Sequence, residues 1–338
     1  MRELVEKLCL LPGVSGDEDR VREFIIENIK DYVQELRVDN MGSVIALKKG
    51  AQPGDKKVML AAHMDEVGVI ITNIGDDGYL KFSFVGGVDR RVAIGKAVRI
   101  GKNGVRGIIG LKAYHLVSDE EEKKVPKVSE MYIDIGAESR EAAEKLVALG
   151  DTGAFESDFV SFGEGKVKAK ALDDRVGCAV LVDIIKNCDL PYDTYFAFTV
   201  QEEVGTRGAF GAAFSVTPDV ALVVEGTTAA DIPTVSPEKQ ICKVGGGVVI
   251  PFMDGGTIYN RELFDLLTAC AEDEGIKWQT KEYIAGGTDA SAIQRSRAGV
   301  KAAGIAVPVR YIHSPSTVTS WEDIEGMRRL AEAFLKRI

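Results

Sequence analysis

Five short segments of the sequence place histidine or carboxylate side chains directly after an apolar run. Parallel strands of an α/β sheet end at the same edge, and such sheets bind ligands outside those carboxyl ends. Imidazole and carboxylate groups that converge there are ligand types suited to zinc, cobalt or manganese. These residue types and positions therefore predict a divalent metal site. The segments are AAHMDEVG (61–68), ALDDRVG (171–177), VQEEVGTRGA (200–209), VVEGTTAAD (223–231) and RYIHSPST (310–317).

Spacing within two of these segments favours particular pairs of side chains. His63 and Asp65 follow an apolar run, and residues two apart in an extended chain face the same side. A carboxylate beside the second ring nitrogen fixes the tautomer of a ligating histidine, although a buried histidine with a polar partner would show the same pattern. Glu202 and Glu203 are adjacent carboxylates, whose mutual repulsion calls for a cation or a shared proton.

The remaining candidates are weaker when each is taken by itself. Asp173 opens a predicted helix, where aspartate is also a common N-cap, and Glu225 at a strand end could simply be solvated. The sequence contains three histidines, so any imidazole chemistry must use His63, His115 or His313. We interpret His115 as a polar loop residue and leave an interface or substrate role open.

Composition and motifs exclude several classes of protein. The 338-residue chain carries 42 basic and 52 acidic side chains, and this net charge of −10 disfavours a nucleic-acid partner. H-E-x-x-H, the P-loop motif and G-x-S-x-G do not occur, and the five cysteines form no C-x-x-C pair. The sequence shows neither a signal peptide nor an apolar run near the roughly 20 residues that cross a bilayer. We expect a cytoplasmic protein without a membrane partner.

The pattern of apolar residues indicates an α/β fold with an insertion. Strands and helices alternate after Ala171, which predicts a mostly parallel sheet flanked by helices. Between Gly68 and Gly165, short β-branched runs alternate with glycine-rich turns, which predicts a small all-β domain. The predicted organisation is a first part of the catalytic α/β domain (1–67), an inserted β domain (68–165) and a second part of the catalytic domain (166–338).

In this order, the five segments and the β-rich insertion resemble the tetrahedral aminopeptidase and glutamyl aminopeptidase family of two-metal peptidases. Some members of this family carry a cellulase label. The resemblance covers nearly the whole chain and also includes PGVSGDE (12–18), GGTDAS (286–291) and RYIHSP (310–315). It implies a metal-dependent aminopeptidase that removes N-terminal residues from short peptides through a metal-activated water.

The resemblance also implies a role for each site residue. Two divalent metal ions, zinc or cobalt, would be bridged by Asp173. Glu202 would act as the general base, and Asp65 would orient a ligating histidine. His63 and Glu225 would complete the site of one ion, and Glu203 and His313 the site of the other.

Self-association is a further implication, because members of the family often form a tetrahedral dodecamer. The inserted domain would supply contacts between subunits and control substrate access. The chain departs from the family at Glu225, where many relatives have Asp, in VGGGVVI (244–250) and at Ser316-Thr317. These departures leave the preferred N-terminal residue open, and the native metal and the exact number of subunits also stay open.

Two alternative functions make different demands on the same residues. A β-glucan hydrolase of the cellulase type would use paired carboxylates without metal, which leaves the histidines unexplained. It would also need aromatic surfaces, and the sequence has two tryptophans, Trp278 and Trp321. A non-catalytic protein whose metals hold an assembly together would have no use for Glu202, which binds no ion in this scheme.

Overall fold

The computed structural model describes residues 1–52 and 56–338. Within them, an eight-stranded sheet lies between helices, and a closed β-barrel is inserted between two of its strands. None of the helices described has the combination of length and apolar character needed to span a bilayer. All five cysteines are free and buried, and a reduced cysteine in such a position packs as a small apolar side chain.

Ten α-helices occur in the described ranges. They are α1 (Arg2–Leu10), α2 (Asp19–Ile29), α3 (Arg90–Ala93), α4 (Asp119–Glu122), α5 (Arg140–Glu144), α6 (Leu172–Asn187), α7 (Arg207–Val216), α8 (Arg261–Asp273), α9 (Ala290–Gln294) and α10 (Trp321–Arg337). The three short helices α3, α4 and α5 lie in loops of the inserted region.

The same ranges contain seventeen strands. They are β1 (Glu35–Val38), β2 (Val44–Lys48), β3 (Val58–His63), β4 (Gly68–Ile74), β5 (Leu80–Val85), β6 (Ala97–Ile100), β7 (Val105–Gly110), β8 (Tyr132–Asp134), β9 (Thr152–Phe155), β10 (Val160–Phe162), β11 (Lys166–Ala169), β12 (Thr194–Thr199), β13 (Val220–Thr228), β14 (Val248–Val249), β15 (Trp278–Gln279), β16 (Lys301–Val309) and β17 (Thr317–Ser320).

The large sheet has the strand order β1-β2-β12-β3-β13-β16-β14-β15. Its central strands β12, β3, β13 and β16 pair in parallel, so their carboxyl ends meet at one edge. Thr199 lies directly opposite His63 in this register, which brings the segment after β12 beside the segment after β3. The prediction of a mostly parallel sheet flanked by helices is confirmed.

Both faces of this sheet are covered, as its nearly continuous apolar strands require. In β3, Leu60 and Ala62 face a core formed with α1, α2, α6, α8 and α10. Met59 and Ala61 face a second core formed with α7 and α9. This alternation fixes which side chains at the strand ends point toward which layer.

The inserted region forms a closed six-stranded barrel in the order β4-β5-β8-β7-β6-β9, around its own apolar core. This confirms the prediction of a small β domain. The chain enters the barrel at Gly68, shortly after His63, and returns through β10 and β11 shortly before Asp173. β10 pairs with β11, which pairs with β17, so these three strands form a separate small sheet. The division at residues 67 and 165 stays a prediction.

One strand extends further than its apolar pattern predicts. The apolar run Ala221–Val224 predicts a strand that ends at Glu225, whereas β13 continues to Thr228. The end of β16 pairs with Gly226, Thr227 and Thr228, and this pairing extends the strand beyond Glu225. Glu225 is therefore held inside a strand, and its side chain is fixed by the pleat.

Candidate metal centre

The carboxyl edge of the large sheet gathers all seven residues that the sequence proposed for the site. His63 is the last residue of β3, and Glu225 lies near the end of β13. Glu202 and Glu203 form the turn after β12, and His313 lies in the turn between β16 and β17. Asp65 follows β3, and Asp173 comes between β11 and the helical part of α6.

Asp173 and Asp174, in the irregular first turn of α6, have different structural roles. Their backbone angles are non-helical, and the peptide bond between them is cis. Asp174 caps the helix, because its Oδ1 accepts from the Gly177 amide at 2.9 Å, while its Oδ2 accepts from the His63 amide at 3.1 Å. The N-cap interpretation therefore applies to Asp174, and the side chain of Asp173 is free to enter the site.

Two groups of possible ligands share Asp173. The first consists of His63, Asp173 and Glu225, and the second of Asp173, Glu203 and His313; within each group the ligand atoms lie within 4.8 Å of one another. His63 Nε2 is 3.3 Å from Asp173 Oδ1 and 3.7 Å from Glu225 Oε1. His313 Nε2 is 3.2 Å from Glu203 Oε2 and 3.8 Å from Asp173 Oδ2. The two oxygens of Asp173 thus face different histidines.

Backbone carbonyl groups orient both imidazole rings. Nδ1 of His63 is 3.1 Å from the carbonyl oxygen of Asp65, and Nδ1 of His313 is 3.0 Å from that of Gly87. A proton on Nδ1 leaves the Nε2 lone pair of each ring directed at the shared aspartate. Gly87 belongs to the segment after β5, so the inserted region helps to build the site.

The Asp65 carboxylate contacts more than the histidine ring. Its Oδ1 is 3.4 Å from His63 Nδ1, farther than the backbone acceptor. Its oxygens also accept from the amides of Glu202 at 3.0 Å and Glu203 at 3.1 Å, and from Ser15 Oγ at 2.6 Å. Asp65 therefore fixes the turn that carries both glutamates, besides its contact with His63.

Burial makes this group of carboxylates costly without a cation. It raises the pKa of Glu203 and of Glu225 well above the ordinary value, and neighbouring negative charges raise both further. Burial also raises the pKa of Glu202 to about 8. For His63, burial lowers the pKa, but hydrogen bonds with Asp173 and Asp65 outweigh it and hold the pKa well above the usual value.

One buried carboxylate oxygen of this cluster indicates that a cation would fit the site. Glu225 Oε2 is buried and has no hydrogen-bond partner in the described part of the chain. An unpaired carboxylate oxygen inside a protein carries a large desolvation penalty, which a divalent cation would offset. The donor set of imidazole and carboxylate, the shared Asp173 and this unpaired oxygen all suit two divalent ions.

Four further residues support the site, and their types and spacing in the sequence do not indicate it: Ser15, Glu18, Thr199 and Asp289. Ser15 donates to Asp65, and Glu18 accepts from the amide of Gln201 at 3.2 Å, so the PGVSGDE segment supports two turns of the candidate site. The Thr199 hydroxyl pairs at 2.5 Å with Asp289, a buried residue of GGTDAS. Both segments carried the family resemblance, but their residue types alone do not reveal these partners.

Comparisons with known proteins agree with this geometry. A family model described as M42 glutamyl aminopeptidase matches residues 42–330. A relative from Acetivibrio thermocellus is 45% identical over 331 residues, covering 98% of this chain and 97% of that one. The lysyl aminopeptidase of Pyrococcus furiosus is 33% identical, covering 99% of this chain and 97% of that one.

Solved structures show the same architecture. The TET aminopeptidase of a marine sediment archaeon (Thaumarchaeota archaeon SCGC AB-539-E09) superimposes with a TM-score of 0.95 at 37% identity, covering 100% of this chain and 96% of that one. For the TET1 peptidase of Pyrococcus horikoshii the TM-score is 0.89 at 37% identity, with coverage of 100% and 99%.

The cellulase label also occurs among similar structures. A Thermotoga maritima protein described as an endoglucanase has a TM-score of 0.82 at 35% identity, covering 98% of this chain and 96% of that one. The family model and the named relatives nevertheless describe peptide hydrolysis, in agreement with a site that combines histidines with carboxylates. By sequence and fold, this chain belongs to the M42 glutamyl aminopeptidase family and is a peptide hydrolase.

Proposed function

We propose that the chain is a two-metal aminopeptidase that removes N-terminal residues from short peptides, with Glu202 as its general base. The observation that carries this proposal is the pair of ligand groups that share Asp173. His63 and Glu225 would hold one ion, and Glu203 and His313 the other. Zinc and cobalt both suit this mixture of imidazole and carboxylate ligands.

Two divalent ions held at such a site would polarise the scissile carbonyl group and lower the pKa of an attacking water. Glu202 belongs to neither ligand group, although it lies in the same buried cluster. Its carboxylate would accept the proton of that water and deliver it to the leaving amine. Asp65, which accepts from the Glu202 amide at 3.0 Å, would hold the base in place.

Negative charge gives the site a way to recognise a free amino terminus. The side chains of Asp65, Asp173, Glu202, Glu203 and Glu225 carry up to five negative charges, against four positive charges on two ions. A protonated α-amino group at the start of a peptide would be attracted to this excess. That attraction would set the scissile bond one residue from the terminus.

Assembly and location complete the proposal. The related TET1 peptidase is described as assembling into a tetrahedron or a large octahedral shell. We infer that this chain also self-associates, with a tetrahedral dodecamer as the first candidate, and that enclosure restricts access to short peptides. The five free, buried cysteines suit a reducing cytoplasm.

The two alternatives fit the site less well. A β-glucan hydrolase would have no use for the imidazole groups, and Trp321 is buried under Phe159 rather than exposed as a sugar platform. An assembly protein with structural metals would have no use for Glu202.

Metal removal tests the proposal. Dialysis against a chelator should abolish the hydrolysis of a peptide series, and zinc or cobalt should restore it, with two ions per chain by elemental analysis.

A second test concerns the free amino terminus. Each peptide is paired with its N-acetylated form, which should be cut at least about tenfold more slowly because the amino group is lost. Full activity after exhaustive chelation would overturn the two-metal mechanism. Equal rates for free and acetylated peptides would overturn the exopeptidase assignment.

A further inference from the structure

A cleft of about 440 Å³ lies where the barrel meets the N-terminal segment of the chain. Four cationic side chains, Arg20, Arg99, Arg106 and Lys170, contribute to its lining. Glu156 and Asp158 are the acidic residues in the same lining. Lys170 is paired with Glu66, and the three arginines still outnumber these two acidic residues, in a chain whose net charge is −10.

In the described residues, the arginines of the cleft have guanidinium N–H groups that their contacts do not use. Arg99 and Arg106 contact the same oxygen, Oε1 of Glu156, at 2.5 and 3.1 Å, so one carboxylate serves two cations. Arg20 donates to the carbonyl oxygen of Lys102 at 2.5 Å, and among the described residues no carboxylate pairs with it. Planar guanidinium groups bind carboxylates through paired N–H donors.

The cleft adjoins the candidate metal centre. Phe155 and Lys170 line it and also line a smaller cavity, whose wall includes Asp173, Glu203 and His313. Lys170 itself is held by Glu66 at 2.6 Å and by the carbonyl oxygen of Leu11 at 2.8 Å, so it forms a fixed part of the shared wall. An acidic site and a cationic cleft therefore lie side by side.

A short peptide has the complementary arrangement of charge, with an ammonium group at one end and a carboxylate at the other. We propose that the cleft is a subsite that binds the C-terminal carboxylate of a short peptide through Arg20 and Arg106. This proposal rests on the proposed function, because it needs the amino end of the same peptide at the metal centre. A chain extends at most about 3.3–3.6 Å per residue, so peptides of one length should span the two sites best.

Matched peptides test the subsite. We expect peptides of two to five residues with a free C-terminal acid to be hydrolysed with a kcat/KM about three- to tenfold higher than their C-terminal amides. The preference should be largest at one length. Arg106→Gln and Arg20→Gln should reduce it, chiefly through KM of the acid, while the amides change little.

Two further variants separate charge from structural damage. Glu156→Gln should increase the preference for the free acid, because it releases two guanidinium groups from their shared partner. Arg140→Gln, which removes an exposed barrel arginine paired with Asp76, should leave both rates unchanged. Loss of rate on acid and amide alike in Arg20→Gln and Arg106→Gln would mean a structural role and would overturn the proposal.

Binding of N-acetylated peptides by calorimetry supplies a readout that needs no turnover. If acids and amides are hydrolysed equally by the unmodified chain, the subsite proposal fails while the proposed function stands. If neither is hydrolysed, the proposed function fails, and tighter binding of the acetylated acid than of its amide would still support a carboxylate site. Binding of inorganic phosphate without any preference for the peptide acid would overturn the peptide assignment.

Discussion

Glu202 and Glu203 show how adjacent residues of one type take different positions. Asp65 accepts from both amides, and Glu203 then reaches His313 while Glu202 remains outside both ligand groups. The backbone of Gln201, directly before them, adopts a left-handed φ of 57° and is held by Glu18. The backbone conformation of this turn, rather than a difference in side-chain type, therefore directs Glu203 to a ligand position and leaves Glu202 as the proposed base.

Replacement of the proposed base should separate chemistry from metal binding. Glu202→Gln keeps the size of the side chain but cannot accept a proton, so kcat should fall on the order of 10²- to 10⁴-fold. Metal content should stay near two ions per chain, as measured by elemental analysis. In the comparison variant Glu203→Gln, both activity and bound metal should fall. Loss of metal in Glu202→Gln would make this residue a ligand instead.

Two buried serines form a matched pair for testing the support of Asp65. Ser15 donates to the Asp65 carboxylate at 2.6 Å, whereas Ser43 Oγ is buried without a partner among the described residues. Ser15→Ala should lower the free energy of unfolding by about 1.5–3 kcal/mol, because a hydrogen bond to a charged group is lost. Its kcat should fall about tenfold as the glutamate turn loosens.

The Ser43 variant is the control for that measurement. Ser43→Ala should be neutral or slightly stabilising, since it removes an unpaired hydroxyl group. Urea unfolding and steady-state kinetics of both variants provide the comparison. Equal effects of the two substitutions would show that Ser15 does not support the site.

A buried ionic network joins the first helix to the site. Arg175 is fully buried at the start of α6 and donates to the carbonyl oxygens of Leu8 at 2.6 Å and Met64 at 2.7 Å. Glu66 accepts from Lys170 at 2.6 Å and from Arg175 at 3.3 Å. The C-terminus of α1, the segment after β3 and the start of α6 are therefore held together.

Removal of the central cation should be strongly destabilising. Arg175→Met leaves Glu66 with one cationic partner and leaves several buried carbonyl groups unsatisfied, so the free energy of unfolding should fall by about 3–5 kcal/mol. Arg329→Met is a matched control, because Arg329 donates to the Glu274 carbonyl oxygen at the surface. The control should change stability by at most about 0.5 kcal/mol in urea unfolding. Similar losses in both variants would contradict a central role for the network.

Much of this arrangement could be predicted from local pattern, because apolar runs mark strands and the parallel strands share an edge. From this pattern alone, His63, Glu203 and Glu225 are predicted to lie together at the carboxyl edge of the sheet. It could not extend β13 beyond Glu225, because the additional ladder depends on β16, more than seventy residues away. It also could not assign Gly87 to His313, since the contact at 3.0 Å crosses from the inserted region and involves only a backbone carbonyl.

For the assembled protein, self-association is the most direct prediction. The inserted barrel exposes large apolar side chains, among them Leu149 at 65% and Ile108 at 49% exposure, which subunit contacts could cover. Light scattering at micromolar concentration should therefore give a mass of several chains, with twelve as the expected number. A monomer alone under these conditions would refute the assembly. Deletion of the barrel is unsuitable as a control, because Gly87 would be lost from the site.

The position of the barrel within the chain also has a consequence for synthesis on the ribosome. Strand β3 pairs with β12 and β13, and Ala62 and Thr199 are 137 residues apart in sequence. At about 5–20 residues per second, β3 leaves the ribosome on the order of ten seconds before its partners exist. The barrel strands are all made within that interval, and in the described structure they pair with one another in a closed barrel. All strands of the barrel are therefore present in the nascent chain while the apolar strand β3 still lacks its partners, and a chaperone acting in this interval would protect β3.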